Sequence, residues 1–233
     1  MATRKMTARI GLFAAAVLLT GAVSTWADPL TMLSENFADI SALPAAGWVF
    51  ANNSTPGGST SWFQGEPAIF DAQAGAADSY IAANFNAADF GGDVSLWLIT
   101  PELEFGTGVS TVSFWTRVAN AGYNDALQLR LSTAGASTDV GSTPASVGVF
   151  TAGIVASLLP DWSNFDATIS NPGPPIAGRL AIRYMVTDTS VNGDYVGIDT
   201  FEFQSPEPIP EPATFLLLGT GIAGLLRYRR RQS

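Results

Sequence analysis

Between residues 28 and 205 the apolar residues alternate with other side chains and almost never recur with a helical period. Val112, Phe114, Thr116 and Val118 alternate with Ser113, Trp115 and Arg117. Leu127, Leu129 and Leu131 alternate with Gln128 and Arg130, and Leu180, Ile182, Tyr184 and Val186 with Ala181, Arg183 and Met185. Successive side chains of a strand point to opposite faces, so each pattern predicts a strand with one buried face. Shorter candidates lie at residues 33–37, 47–52, 61–64, 80–85, 97–100, 147–154, 165–170 and 195–203. Residues 52–58 and 171–175 are rich in Pro, Gly and Asn and predict surface connections, because proline lacks the ladder donor and glycine favours bends. Residues 72–77, mostly small, read as a mobile loop or a weak helical turn. With no internal repeat, this spacing predicts one all-β domain built as a two-sheet β-sandwich.

The ends of the chain have a different character. Arg4, Lys5 and Arg9 precede an apolar run at residues 10–23 and the small-residue site Thr25-Trp26-Ala27, which predicts a signal peptide at residues 1–27 removed by signal peptidase. At the other end Pro210, Glu211, Pro212, Ala213 and Thr214 precede an apolar run at residues 215–226 and a cluster of Arg227, Arg229, Arg230 and Arg231. As a helix that run is about 18 Å long, against the roughly 30 Å of a bilayer's hydrocarbon core. Gly219, Gly221 and Gly224 weaken it further, by about 1 kcal/mol each relative to alanine. The arginines stay on the cytoplasmic side. These features predict transient membrane insertion; the competing reading is a lasting single-pass anchor to which the lipid adjusts.

The Pro210–Thr214 motif, the short Leu/Gly-rich helix and the terminal arginines resemble the PEP-CTERM sorting signal of exopolysaccharide-producing bacteria. The resemblance implies recognition of Pro210, Glu211 and Pro212 by a membrane-embedded exosortase that cuts near the motif. The resulting organisation is a signal peptide at 1–27, a domain at 28–203, a linker at 204–209 and the sorting signal at 210–233. The expected location is across the inner membrane, at the cell surface or in the extracellular matrix.

Composition narrows what the domain does there. Residues 28–205 carry four cations (Arg117, Arg130, Arg179 and Arg183) and 18 carboxylates, a formal charge of −14. That balance excludes nucleic acid and anionic lipid surfaces, both of which require cationic partners. It suits cation binding or plain solubility. The chain has no Cys and no His, so stability comes from a core without disulfides, and Ser-His-Asp, Cys-His and His/Cys zinc chemistry are excluded.

Seven blocks in order carry a second resemblance: Ser34-Glu35-Asn36-Phe37; Leu43-Pro44 with Gly47-Trp48; Trp62-Phe63-Gln64-Gly65; residues 79–85; Trp97-Leu98-Ile99-Thr100-Pro101; Ser113-Phe114-Trp115; and Tyr195-Val196-Gly197-Ile198-Asp199. They are similar to the choice-of-anchor J domain of bacterial surface proteins. This implies a jelly-roll-like two-sheet β-sandwich with an adhesive or matrix role, without catalysis.

Three groups are candidate site residues. Glu35, Asp39 and Asp199 are expected near one another if the first and last strands pair, and would supply oxygen ligands to Ca²⁺; the alternative is that Glu35 and Asp199 cap strand ends or pair with Arg179 or Arg183. Asp188, Asn192 and Asp194, like Asp89 and Asp93 around Gly91-Gly92, form oxygen-rich turns whose composition turn geometry alone explains. Among Trp48, Trp62, Phe63, Trp97, Trp115 and Trp162, Trp115 is the best platform for stacking on a glycan, with Arg117 on the same side of the strand; the others read as core. A binding module for exopolysaccharide and a passive matrix protein remain as functions. A glycoside hydrolase built from carboxylates alone is a remote third, since no pair sits in a catalytic motif.

Overall fold

In the computed structural model, residues 30–151 and 153–206 are described; the expected signal peptide and sorting signal lie outside them. The described chain is a two-sheet antiparallel sandwich of thirteen strands. They are β1 (Leu30–Glu35), β2 (Val49–Asn52), β3 (Thr55–Gly57), β4 (Phe63–Gln64), β5 (Ile81–Asn84), β6 (Ala88–Ile99) and β7 (Leu103–Phe105). After them come β8 (Gly108–Val118), β9 (Asp125–Ser132), β10 (Gly153–Ala156), β11 (Ser163–Asn171), β12 (Ile176–Val186) and β13 (Tyr195–Ser205). The first sheet has the order β11-β8-β13-β5-β4, with β1 also paired to β13. The second has the order β10-β9-β12-β6-β2, with β3 on β6 and β7 on β12.

The alternation places the core. Val112, Phe114, Val118, Ile198 and Phe203 of the first sheet face Leu96, Leu98, Leu127, Leu129, Ile182 and Tyr184 of the second in one apolar cluster. Phe114 stacks on Phe165 across the β8–β11 pair, with ring centroids 4.7 Å apart. Trp48 is buried from the β1–β2 connection and meets Phe37 and Phe201 edge-on.

Several expectations change. Expected as loop, residues 55–57 form β3, while β6 begins at Ala88 rather than at Trp97, because β3 and β6 pair across the Gly91-Gly92 bend. Residues 103–105 form an unexpected strand on β12. In place of a strand at 147–154, the chain stays irregular through Thr151, Phe150 is buried against Trp97, and the strand spans Gly153–Ala156. β13 continues through Gln204 and Ser205, which lie beyond the expected domain boundary at 203 and pair with β1 and, at Gln204, with β8. Among the described residues no helix is long and apolar enough to cross a membrane.

Both sheets carry long loops on their outer faces. On the second sheet, Val140 and Phe150 from residues 133–151 cover Trp97, Ile99 and Ala181. Arg183, 2 % exposed, lies 4.8 Å from the Trp97 ring centroid, donates through Nε to Ser95 Oγ at 3.0 Å, and donates through Nη2 to the Pro144 carbonyl. Burial, then the charge of Arg130, pull its pKa down to about 10.

The core and the pinned loop give separable losses of stability. Phe114→Ala is expected to cost about 3–5 kcal/mol, the range for deleting a buried aromatic ring. Arg183→Met keeps an unbranched side chain there but removes the guanidinium from Trp97 and Ser95 and releases Pro144. It should leave the sheets intact while opening residues 133–151 to limited proteolysis, and equal protease resistance in wild type and variant would refute the pinning role.

Candidate functional site

Residues directly opposite in an antiparallel pair share a face, so register alone lays out the outer face of the first sheet. Trp115 stands between Asn164 of β11 and Asp199 of β13, and Ser113 between Asp166 and Glu202. Thr111 stands between Thr168 and Gln204. Asn164, Asp166, Thr168 and Thr111 are exposed, while Trp115, Ser113, Glu202 and Gln204 are half-buried. Trp115 is thus the one large aromatic side chain in an otherwise polar patch.

The other half of this face is roofed by the loop between β4 and β5. Phe70 stacks on Tyr80 with centroids 5.1 Å apart and meets Trp162 and Tyr195 edge-on. Gly197 of β13 makes room for them: a Cβ there would sit 2.9–3.0 Å from Phe70, Trp162 and Tyr80. The Tyr80 hydroxyl donates to the Phe70 carbonyl at 2.9 Å and accepts from the Glu66 N–H at 3.0 Å. Burial, then the Tyr195 hydrogen bond, push Tyr80 far above the ordinary tyrosine range. Trp162 Nε1 donates to the Asp71 carbonyl at 2.9 Å.

Arg117 belongs to this roof. Its Nε donates to the Pro160 carbonyl at 2.6 Å, and its guanidinium carbon lies 4.5 Å from the Phe70 centroid. The expected pairing of Trp115 with a free Arg117 is therefore replaced by Trp115 beside Asn164, Asp166 and Glu202. Alternation puts Arg117 on the right face, and only tertiary structure reveals that a loop claims it. Trp48, Trp62 and Trp97 are buried, and Trp162 packs under the roof.

The expected calcium ligands have other employment. The first and last strands do pair, with Glu35 opposite Phe201. Glu35 Oε1 accepts from the Phe37 N–H at 2.8 Å, and Asp39 Oδ1 accepts from the Ser41 N–H at 2.9 Å at the start of a 3₁₀ turn. The Ser41 hydroxyl and N–H hold Asp39 below its ordinary pKa. Asp199, fully buried, accepts through Oδ2 from the N–H groups of Gln73 and Ala74 at 2.9 and 3.0 Å, and through Oδ1 from Thr200 N–H at 2.6 Å. Among the described residues no three His, Cys, Asp or Glu side chains gather as metal ligands. A carboxylate ringed by N–H donors does not fit a cation site, and Asp199 is such a carboxylate. Asp199 instead clamps the roof loop at a bulge in β13, where Thr200 has φ +49°.

The acidic turn after β12 is likewise structural. Asp188 Oδ1 accepts from Ser190 N–H at 3.0 Å, and Asn192 Nδ2 donates to the Thr187 carbonyl at 2.7 Å. Buried Asp194 accepts from Asn120 N–H and donates its own N–H to Asp125 Oδ2 at 2.8 Å. Asp125, which no sequence pattern singled out, also accepts from the Tyr184 hydroxyl at 2.5 Å. Burial raises its pKa.

With this geometry in view, the comparisons divide by segment. Residues 208–231 match the PEP-CTERM protein-sorting motif. No curated protein matches the chain. The sandwich is similar to a cleaved adhesin domain of Lys-gingipain from Porphyromonas gingivalis, with TM-score 0.50 and 19 % identity over 74 % of this chain and 97 % of that one. It is also similar, at TM-score 0.40 and 12 % identity, to a xylan-binding domain from Paenibacillus barcinonensis, over 78 % of this chain and 97 % of that one. The adhesin likeness shows the fold, a two-sheet jelly-roll sandwich.

Asp199 yields a prediction with a definite sign. Burial, the largest influence, raises its folded pKa above the ordinary 3.8 against the opposing hydrogen bonds. Just above pH 3.8 the folded state therefore binds more protons than the unfolded state, so this group's contribution to stability falls as pH rises from there through the folded pKa, then levels off. Denaturant titrations at several pH values should show that decline in wild type and lose it in Asp199→Asn. Asp199→Ala, which strands the Gln73 and Ala74 N–H groups, should cost about 2–4 kcal/mol.

Proposed function

We propose that the chain is exported, processed at its sorting motif by an exosortase-like enzyme, and delivered to the cell surface or extracellular matrix, where its sandwich binds polysaccharide without catalysis. The observation that carries the binding reading is Trp115, half-buried on the outer face of the first sheet between Asn164 and Asp199, with Asp166 and Glu202 one step along. An indole face beside amide and carboxylate groups offers a sugar ring apolar contact on one side and hydrogen-bond partners at its rim. The choice-of-anchor J resemblance and the sorting motif support an adhesive or matrix role at the place where exopolysaccharide accumulates. The absence of His and Cys supports a non-catalytic one.

Trp115→Ala is expected to lower retention on exopolysaccharide at least tenfold while shifting Tm by only a few degrees. Undiminished retention would leave a passive matrix protein. For delivery, replacing Arg227, Arg229, Arg230 and Arg231 with Gln should leave an uncut precursor in cell fractions; normal processing would count against the sorting reading.

A further inference from the structure

The two ends of the sandwich differ. At one end Leu30 pairs with Ser205, so the segment carrying the sorting motif departs beside the start of the described chain. β13 runs eleven residues from there, about 35 Å, to the opposite end. That far end includes residues 85–93, which lead from β5 through the first half of β6, and the connections at 119–124 and 187–194. They are tied together: Thr189 N–H donates to the Gly92 carbonyl at 2.9 Å, its hydroxyl to the Asp89 carbonyl at 2.7 Å, and Asn124 N–H to Asn192 Oδ1 at 3.4 Å.

Four large apolar side chains project from these connections. Phe90 is 86 % exposed, at the tip of a bend where Gly91 has φ +77°; Val191 is 66 %, Tyr123 49 % and Phe85 38 % exposed. Core packing does not account for a phenylalanine with almost its whole ring in water, and exposed apolar groups gathered at one place mark interaction surfaces.

Charge selects the occupant. All four cations of the domain hydrogen-bond within it: Arg117 to Pro160, beside Phe70, Arg130 to Gln128 and Thr151, Arg179 to Ala136 and Thr100, and Arg183 to Ser95 and Pro144. What remains outside is acidic, including exposed Asp89 and Asp93 on either side of Phe90. Such a surface repels uronate or sulfated polymers and attracts cations, which aromatic faces also bind.

We propose that the end of the sandwich remote from the chain termini is a docking surface for a polysaccharide bearing protonated amino groups, with Phe90 and Tyr123 contacting its sugar rings and ammonium groups. This surface is distinct from the Trp115 face, and its failure need not touch that reading.

The test uses the purified full-length protein, a glucosamine hexasaccharide in mildly acidic buffer, its N-acetylated counterpart and polygalacturonate. The glucosamine hexasaccharide should bind at least tenfold tighter than either of the others, and more weakly as salt is raised. The double variant Phe90→Ala, Tyr123→Ala should lose at least tenfold in that affinity with unchanged Tm, whereas Trp115→Ala should keep it. Equal binding of the N-acetylated sugar, or undiminished binding by the double variant, overturns the proposal. Loss of binding in Trp115→Ala alone moves the ligand to the first sheet's face. Poly-lysine binding as tightly as the sugar, with the same loss in the double variant, makes the partner a basic polypeptide and overturns the sugar.

Discussion

Loops without disulfides must be held by something other than covalent bonds, and here they are held by buried polar side chains that reach the loop backbone. Asp199 takes two N–H groups of the loop over the first sheet, and Arg183 and Arg130 take carbonyls of the loop over the second. A buried carboxylate or guanidinium left without partners is strongly destabilising, so each anchor enforces its loop's position as firmly as the loop satisfies the anchor. Gln64 works in the same way at the rim of the first sheet, donating from Nε2 to the carbonyls of Phe37 and Asp78 at 2.8 and 2.6 Å. The sandwich core fixes the sheets; these polar anchors decide which parts of their outer faces stay open.

That division determines what the surface offers. Arg117 is engaged by Pro160 and Phe70, and Gly197 exists as a glycine because a Cβ there would press on three aromatic rings. Trp115, directly across from Asp199, stands where the register passes from roofed to open sheet. The use of every cation internally also leaves the exterior acidic, so that loop pinning and ligand charge become one problem. A chain with spare lysines would have kept the two apart.

The strands at 112–118, 127–131 and 180–186 were legible because each alternates against one solvent-facing or loop-covered side. β6 was legible only at 97–99: its Leu96-Trp97-Leu98-Ile99 run is buried on both faces, and its first half is interrupted by the turn chemistry of Gly91-Gly92. The pairing of first and last strands was legible, whereas Trp115 and Trp162 both come out half-buried while Trp48, Trp62 and Trp97 are buried. The role of Asp199 was not, since a carboxylate that binds cations and one that collects backbone N–H groups look alike in sequence. Nothing in a one-dimensional pattern shows which backbone will arrive. Phe90 escaped for a related reason: an aromatic residue between Asp89 and Gly91 reads as part of a turn, and only the fold shows that its ring is left outside.

The placement of the ends gives the molecule a direction. Because β1 and β13 are antiparallel neighbours, the segment leading to the sorting motif leaves from the same end at which the described chain starts, and the connections between β5 and β6, β8 and β9, and β12 and β13 fall at the other. A domain held by its C-terminal segment then presents those three connections outermost, with the Trp115 face along its side. A polymer lying along that side and one meeting the tip would be engaged by different residues under different electrostatics. The separation follows from the direct antiparallel pairing of β1 with β13, which puts both termini of the described chain at one end and the start of β13 at the other.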